Sequence, residues 1–357
     1  MPSNIATKYF RKAYTNFATH IYDKPPRMLA FLILVIFAAL PFSGINLLKL
    51  DILTATNVIA ILAVSWDLLV GRTGQISLGH AMFYAAGAYG TALLFKYFSW
   101  PIWITIPLSL LCGVAIALIV GAPSLRMKGP YLALVTMAFP LAITGFLYYF
   151  RDIFGGETGI RYLPKFFPSL AFFDRLVANY YLSLALMTIS SIIIYKIAAS
   201  KTGIVFISIL DDELGAKACG INVTKYKLMS FAISGLFGSL AGAVYAHLIE
   251  GSAAPSYLNF SYSIIPVIAT ILGGIGTIYG PLVGTYIYYL MNKYVFQEVL
   301  PLDQNIQLFL FIMVVVLFVI KWPRGIARTI VEKLEDLEEP REIEEIEKER
   351  AKKAEKV

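Results

Sequence analysis

The chain has 357 residues, of which 58% are hydrophobic and only 15% are charged, and its net charge is +7. Soluble domains contain about 45–50% apolar and about 25% charged residues, so a soluble fold could not cover this much apolar surface. The composition therefore excludes a soluble enzyme, a disulfide-linked secreted domain and a disordered chain, and it makes lipid the main solvent. The two cysteines and three histidines are too scattered in the sequence to predict a metal site.

Ten apolar runs predict an all-α, polytopic membrane fold with about ten transmembrane helices. The first run follows a long polar leader and contains Pro41, which favours a retained span over a signal peptide. The runs are residues 28–48, 52–70, 76–95, 102–121, 131–150, 179–199, 228–249, 262–272, 281–296 and 306–320.

The distribution of Lys and Arg predicts the orientation of these spans. With ten spans and an inner N-terminus, 16 Lys and Arg residues lie in inner segments before the tail, against seven on the outer side. Cytoplasmic loops carry such an excess of positive charge, so both termini are predicted to be cytoplasmic.

Four segments follow from this pattern. A basic N-terminal arm covers residues 1–27 and has the composition of an amphipathic helix on the membrane surface. The membrane-spanning body covers 28–326 and includes a long inner loop at 200–227. The tail, 327–357, is charged, with 11 acids and seven bases from Glu332 onward, and is interpreted as a solvated helix or as low-complexity disorder.

A glycine-rich break separates the runs 262–272 and 281–296. The first of these runs is too short to span alone, so the pair forms either two tilted short helices or one span with a re-entrant piece. Irregular backbone at membrane depth is tolerated only where protein or a water-filled cavity covers it. The break and packing positions are Gly273, Gly274, Gly276, Gly280 and Pro281.

Polar residues after the second run give the first candidate site. Gly71 and Gly74 predict a tight turn, after which Gln75, Ser77 and His80 enter the bilayer at the start of a helix. Ser77 and His80 are three residues apart and would share a helical face, whereas Gln75 would face elsewhere or cap the helix. Such side chains either line a transport pathway or form hydrogen bonds between helices.

The inner loop gives the second candidate site. Its acidic residues come early, a helix-prone stretch follows, and Gly220 is suited to end a short helix. This pattern favours a helix–turn–helix that lies in a groove of another protein over a plain solvated loop. No phosphate-binding loop or zinc-protease motif occurs in the sequence, so no enzymatic activity and no bound cofactor is predicted.

Several ordered motifs between residues 57 and 326 resemble the permease subunits of branched-chain amino-acid ABC importers. ABC importer permeases generally carry a Glu-Ala-Ala motif with a later glycine, and here Ala216 and Gly220 fit it while Leu214 and Gly215 depart from it. The stretches that carry the resemblance are 71–80, 125–136, 155–160, 213–228, 272–281 and 322–326.

The resemblance implies one half of a membrane pore in a prokaryotic plasma membrane. Its partners would be a second related permease, two cytoplasmic ATP-binding subunits and an extracytoplasmic binding protein, with ATP hydrolysed by the partners. The cargo would be leucine, isoleucine or valine, although a sister branch serves urea and short amides. The implied ATPase-coupling residues are Glu213, Ala216, Gly220, Asn222 and Lys225.

A self-sufficient channel or secondary transporter is the contrasting class. It would need intramembrane charges for ion coupling. Asp67 and Glu250 are the best candidates, and both are expected to lie close enough to the surface to be hydrated.

Overall fold

A computed structural model describes residues 37–43, 47–125, 127, 129–292 and 304–331. The segment Pro41–Ala327 forms one compact unit, and the account below concerns this unit. The predicted arm 1–27, most of the first predicted span and the tail from Glu332 lie outside the described residues.

The unit is built almost entirely of helices. The two short strands β1 (Ile160–Arg161) and β2 (Ser252–Ala253) pair antiparallel. Short helical turns occupy Leu40–Ser43, Arg151–Phe154, Gly156–Thr158, Ala246–Glu250 and Pro255–Leu258. The longer helices are α1 (Leu47–Thr73), α2 (His80–Phe98), α3 (Ile102–Ser124), α4 (Pro130–Tyr149), α5 (Phe172–Ala198), α6 (Lys201–Asp211), α7 (Glu213–Ala218), α8 (Val223–Tyr245), α9 (Phe260–Gly273), α10 (Tyr279–Tyr289) and α11 (Gln304–Lys321).

Among the described residues, five helices are long and apolar enough to cross a membrane, which confirms the all-α, polytopic class. The count of ten spans stays a prediction, because parts of the chain lie outside the described residues. The five are Lys49–Thr73, Ile102–Ser124, Pro130–Tyr149, Phe172–Ala198 and Val223–Glu250.

Helix α1 lies at the centre of the unit. Its residues from Val58 to Val64 are fully buried, because α5, α8, α9 and α10 all pack against it. A helix that is apolar on every side is expected in such a position. The polar side chain of Asn57 is also paired. Its Nδ2 donates a hydrogen bond to Ser183 Oγ at 3.0 Å, and its Oδ1 accepts a hydrogen bond from the Tyr286 hydroxyl.

Helix α8 packs so closely against α2 and α3 that backbone atoms are in contact. A Cβ at Gly87 would overlap the carbonyl oxygen of Ser239, and a Cβ at Gly242 would overlap that of Tyr84. Small residues allow this close approach, which is how helices associate where water cannot drive them together. We call this contact the α2–α8 seam.

The glycine break joins helices α9 and α10, as the sequence predicts. Two tilted short helices and one span with a re-entrant piece both stay predictions. Helices α9 and α10 form an antiparallel hairpin, because Gly273 lies against Gly280 and Gly284 lies against Ala269. The chain between them has positive φ angles of 125° at Gly274 and 79° at Gly276. We call residues 274–278 the hairpin tip.

Candidate functional site

The segment after α1 differs from its sequence-based prediction. Helix α2 begins at His80, and residues 75–79 are not helical. The prediction that Ser77 and His80 share a helical face is therefore wrong. Gly74 adopts φ +68° and ends α1 with a hydrogen bond from its amide to the Val70 carbonyl at 3.0 Å. The chain leaves α1 there and runs extended to His80.

Gln75 is buried and bonded to α8. Its Nε2 donates to Thr73 Oγ1 at 2.7 Å and to Ser230 Oγ at 2.9 Å. The Lys227 carbonyl, one turn earlier on α8, lies 3.5 Å from the same nitrogen. Gln75 therefore ties the end of α1 to the first turns of α8.

Ser77 is held mainly through its backbone. Its carbonyl oxygen accepts a hydrogen bond from Trp66 Nε1 at 2.8 Å, and its hydroxyl accepts one from the Gly79 amide at 3.3 Å. The next amide, that of Leu78, donates to Thr136 Oγ1 at 3.0 Å. These bonds satisfy the backbone of a buried segment that has no helical partners of its own.

His80 is fully buried and bonds to α8. Its Nε2 lies 2.8 Å from Ser234 Oγ, and that hydroxyl donates its own proton to the Ser65 carbonyl at 2.8 Å. Because the hydroxyl proton is already used, Nε2 of a neutral His80 must be the donor and Nδ1 carries the lone pair. Nδ1 has no hydrogen-bond partner within the described part of the chain.

Together, Gln75 and His80 join the 71–80 segment to one face of α8. Their partners, Ser230 and Ser234, are four residues apart and lie on one side of that helix. These are the contacts that a helix-packing role requires. A place for Ser77, His80 and Gln75 in a transport pathway stays a prediction.

The two carboxylates singled out for ion coupling lie in different surroundings. Glu250 is exposed, as expected. Asp67 is only 1% exposed, so the expectation that it is hydrated is wrong. Its Oδ1 accepts a hydrogen bond from the Gly276 amide in the hairpin tip at 2.7 Å. The cause is tertiary packing, which covers the C-terminal end of α1 with the hairpin.

The 200–227 loop folds into two helices and a sharp turn. Asp212 caps α7, because its Oδ1 accepts a hydrogen bond from the Leu214 amide at 2.9 Å. At the other end Gly220 has φ +82°, and the Ile221 amide donates to the Ala216 carbonyl at 3.1 Å. This backbone favours glycine and confirms that Gly220 stops the short helix.

A salt bridge fixes α7 to the start of α8. The Glu213 carboxylate lies 2.8 Å from the ammonium of Lys217 and 2.8 Å from that of Lys227. Hydrogen bonds from Lys217 and Lys227 lower the pKa of Glu213 to about 2. Glu213 is therefore ionised at neutral pH and holds two helices together.

The remaining coupling candidates have different roles within the loop. Ala216 is buried in a small apolar cluster with Ile209 and Val223. Asn222 caps α8, because its Oδ1 accepts a hydrogen bond from the Lys225 amide at 3.0 Å. The Lys225 side chain is exposed. Ala216 and Asn222 therefore shape the loop, while Lys225 is available to a partner.

Sequence reasoning missed several residues that build these contacts. Leu214 was treated only as a departure from a motif, yet it is 70% exposed on α7 and is the apolar side chain that this helix presents. Ser230 and Ser234 were not singled out either. Their spacing of four in an apolar helix, with small residues nearby, was a signal for a polar packing face.

The glycines flagged for packing contact backbone directly. A Cβ at Gly71 would lie 2.6 Å from the Gly276 amide nitrogen, and a Cβ at Gly280 would overlap the Gly274 carbonyl. Gly74 approaches Leu210 of α6, where a Cβ would lie 2.9 Å from the side chain. Pro281 is buried in the first turn of α10. These positions hold α1, α6 and the hairpin close together.

Comparison with known proteins identifies the class to which this arrangement belongs. Residues 48–320 match the family described as the branched-chain amino acid transport system / permease component. The match covers more than half of the chain, so the chain belongs to this family of ABC transporter permeases and is a multi-pass membrane protein.

Individual relatives carry different substrates in their names. The high-affinity branched-chain amino acid transport system permease protein LivM of Salmonella typhimurium is 31% identical over 270 residues, which cover 69% of this chain and 63% of that protein. The ribose import permease protein RbsC of Haemophilus influenzae is 25% identical, covering 68% of this chain and 76% of that protein. The guanosine ABC transporter permease protein NupQ of Bacillus subtilis is also 25% identical, with coverages of 54% and 63%.

A solved structure described as an inward-facing metal-chelate type ABC transporter is 18% identical to the chain. The similar region covers 83% of this chain and 98% of the chain in that structure, with a TM-score of 0.44.

Proposed function

We propose that this chain is the membrane permease of an ATP-driven importer for leucine, isoleucine and valine. The proposal rests on the structure of α7. This short helix is capped by Asp212, stopped at Gly220 and held by the Glu213–Lys227 salt bridge, and it presents Leu214 outward. A rigid helix with one exposed apolar side chain is suited to insertion into a groove of a partner.

The proposed partners are two cytoplasmic ATP-binding subunits, a second related permease and an extracytoplasmic binding protein. ATP is hydrolysed in the ATP-binding subunits, and this chain holds no cofactor of its own. Both termini lie in the cytoplasm of a prokaryotic cell, in agreement with the Lys and Arg asymmetry of the sequence. The 200–227 loop is then cytoplasmic, where the ATP-binding subunits reach it.

In the proposed mechanism, closure of the ATP-binding subunits moves α7. The Glu213–Lys227 salt bridge transfers that movement to the first turn of α8. The Lys227 carbonyl, Ser230 and Ser234 of α8 face Gln75 and His80, so the 71–80 segment follows. The permease thereby alternates between outward and inward access. These contacts form one continuous physical connection from the loop to the centre of the unit.

Branched-chain amino acids are the proposed cargo because the LivM relative is 31% identical, against 25% for the ribose and guanosine permeases. The test is uptake into vesicles that contain the chain with its second permease, ATP-binding subunits and binding protein. We expect ATP-dependent uptake of leucine and no uptake of ribose, guanosine or urea.

Preference for ribose, guanosine or urea would replace the proposed cargo while leaving the importer in place. Uptake by the chain alone, without ATP or partners, would contradict the importer and establish a self-sufficient transporter. Co-purification of the ATP-binding subunits through the 200–227 loop gives a second readout, which does not depend on the substrate.

A further inference from the structure

The buried carboxylate of Asp67 lies where two distant parts of the chain meet. Asp67 is on α1, and the amide that it binds at 2.7 Å belongs to Gly276, 209 residues later in the sequence. The other carboxylate oxygen, Oδ2, is buried and has no hydrogen-bond partner among the described residues.

The surroundings of this hydrogen bond leave no room for side chains. At Gly71, one turn after Asp67, a Cβ would lie 2.6 Å from both Asp67 Oδ1 and the Gly276 nitrogen. At the start of the tip, a Cβ at Gly325 would overlap the Gly274 backbone. The tip is therefore in close contact with both α1 and the turn at Gly325.

The tip also forms hydrogen bonds within the hairpin. The Gly274 amide donates to the Thr270 carbonyl at 2.8 Å, and the Gly280 amide donates to the Thr277 carbonyl at 2.9 Å. The Thr277 hydroxyl closes the turn with a hydrogen bond to the Gly274 carbonyl at 2.7 Å. The Gly276 amide is the tip donor that reaches out to α1.

The hairpin also needs such an attachment because helix α9 is short. It has 14 residues. At about 1.5 Å per residue it does not span a hydrocarbon layer of about 30 Å, so membrane thickness does not set its position. Contacts with neighbouring helices must set it instead.

We propose that Asp67 is a positioning residue for transport, which fixes the hairpin tip, residues 274–278, to the end of α1. The inference rests on the proposed function, because it requires the tip and the end of α1 to keep their relative positions while the permease alternates between outward and inward access. Asp67 contacts the tip and not the cargo. Its carboxylate holds the Gly276 amide, and the open backbone of Gly71 lets the tip approach.

The experiment compares three variants of the full chain, purified with its partner subunits. Asp67→Ala removes the acceptor, Asp67→Asn keeps a neutral acceptor of the same shape, and Asp51→Ala is the matched control on the same helix. The first readout is amide hydrogen exchange in a peptide covering 273–279. Asp67→Ala is expected to speed exchange there by roughly 10- to 100-fold, the factor for a buried amide left without its hydrogen-bond acceptor. Asp67→Asn is expected to give a smaller increase, and Asp51→Ala none.

The second readout is ATP-dependent leucine uptake. Asp67→Ala is expected to reduce it by more than 10-fold, and Asp67→Asn is expected to restore more than half of the wild-type rate.

If Asp67→Ala does not assemble, the exchange increase in Asp67→Asn decides. Unchanged exchange at 273–279, or an equal change in Asp51→Ala, would overturn the attachment. Faster exchange with full uptake would overturn its role in transport. Absence of leucine uptake in the wild type would count against the proposed function alone, because the exchange readout needs no substrate.

Discussion

The α2–α8 seam and the 200–227 loop are held together in opposite ways. At the seam, backbones touch at Gly87 and Gly242, and the side-chain bonds to α8 come from neutral groups such as His80. In the loop, a charged bridge centred on Glu213 joins α7 to α8, and Gly220 has open space around it. The seam is therefore sensitive to added volume at Gly87 and Gly242, whereas the loop has room at Gly220 and depends on the charge of Glu213. Packing without water favours the first arrangement, and solvent access favours the second.

The largest effect is expected from filling the seam. Gly242→Ala places a methyl group on the Tyr84 carbonyl, so the helices must separate. We expect a loss of stability of about 1–3 kcal/mol or more, measured as a lower midpoint of thermal unfolding in detergent. Gly145→Ala is the matched control, since no atom lies within 4 Å of its added Cβ. Equal midpoints for the two variants would contradict the described packing.

His80→Ala tests the polar part of the seam. The change leaves the buried Ser234 hydroxyl without one of its partners, and we expect a cost of about 1–3 kcal/mol. If His80 only packs helices, the amount of assembled permease falls and uptake per assembled complex is unchanged. If it lines the pathway, assembly is normal and uptake changes. Normal assembly with normal uptake would contradict both roles.

Gly220→Leu tests the turn of the loop. At φ +82° a β-carbon costs about 1 kcal/mol, but the open space means that no neighbour within the chain is displaced. We expect weaker co-purification of the ATP-binding subunits from a permease that still assembles. Gly251→Leu is the control, because Gly251 has φ +65° and equally open surroundings. An equal loss of co-purification in both variants would assign the effect to backbone strain.

The smallest effect is expected from the charge of Glu213. Its folded-state pKa of about 2 lies below the ordinary value of 4.5, so its contribution to stability is present above pH 4.5 and disappears as the pH falls toward 2. Because the pair is at the surface, we expect a difference of at most about 1 kcal/mol between wild type and Glu213→Gln. Unfolding midpoints of both proteins, measured from pH 7 down to pH 2, should converge at the acidic end. A constant difference would contradict the bridge.

Local signals in the sequence were sufficient for some features and not for others. Gly220 and the break at 273–281 could be predicted, because a positive φ or an irregular turn requires glycine at the position itself. The start of α2 could not, because Ile76 and Leu78 prolong the apolar run although Trp66 and Thr136 hold that stretch in an extended form.

The burial of Asp67 could not be predicted from the sequence either. Its partner, Gly276, is 209 residues away, and hydropathy along α1 carries no information about the hairpin that covers it. The same limit applies to His80, where the sequence predicted a polar group in the bilayer but not Ser234 as its partner. Features that depend on contacts between distant segments need the folded structure.

The central position of α1 has a consequence for biosynthesis. Ribosomes deliver the chain from its N-terminus, so α1 enters the lipid before α5, α8, α9 and α10, the helices that enclose it, exist. Until Tyr286 and Gly276 have been translated, Asn57 and Asp67 lack these partners, and unpaired polar groups in lipid are costly. A chain released before α10 would therefore expose both polar groups to lipid, whereas the complete chain covers them.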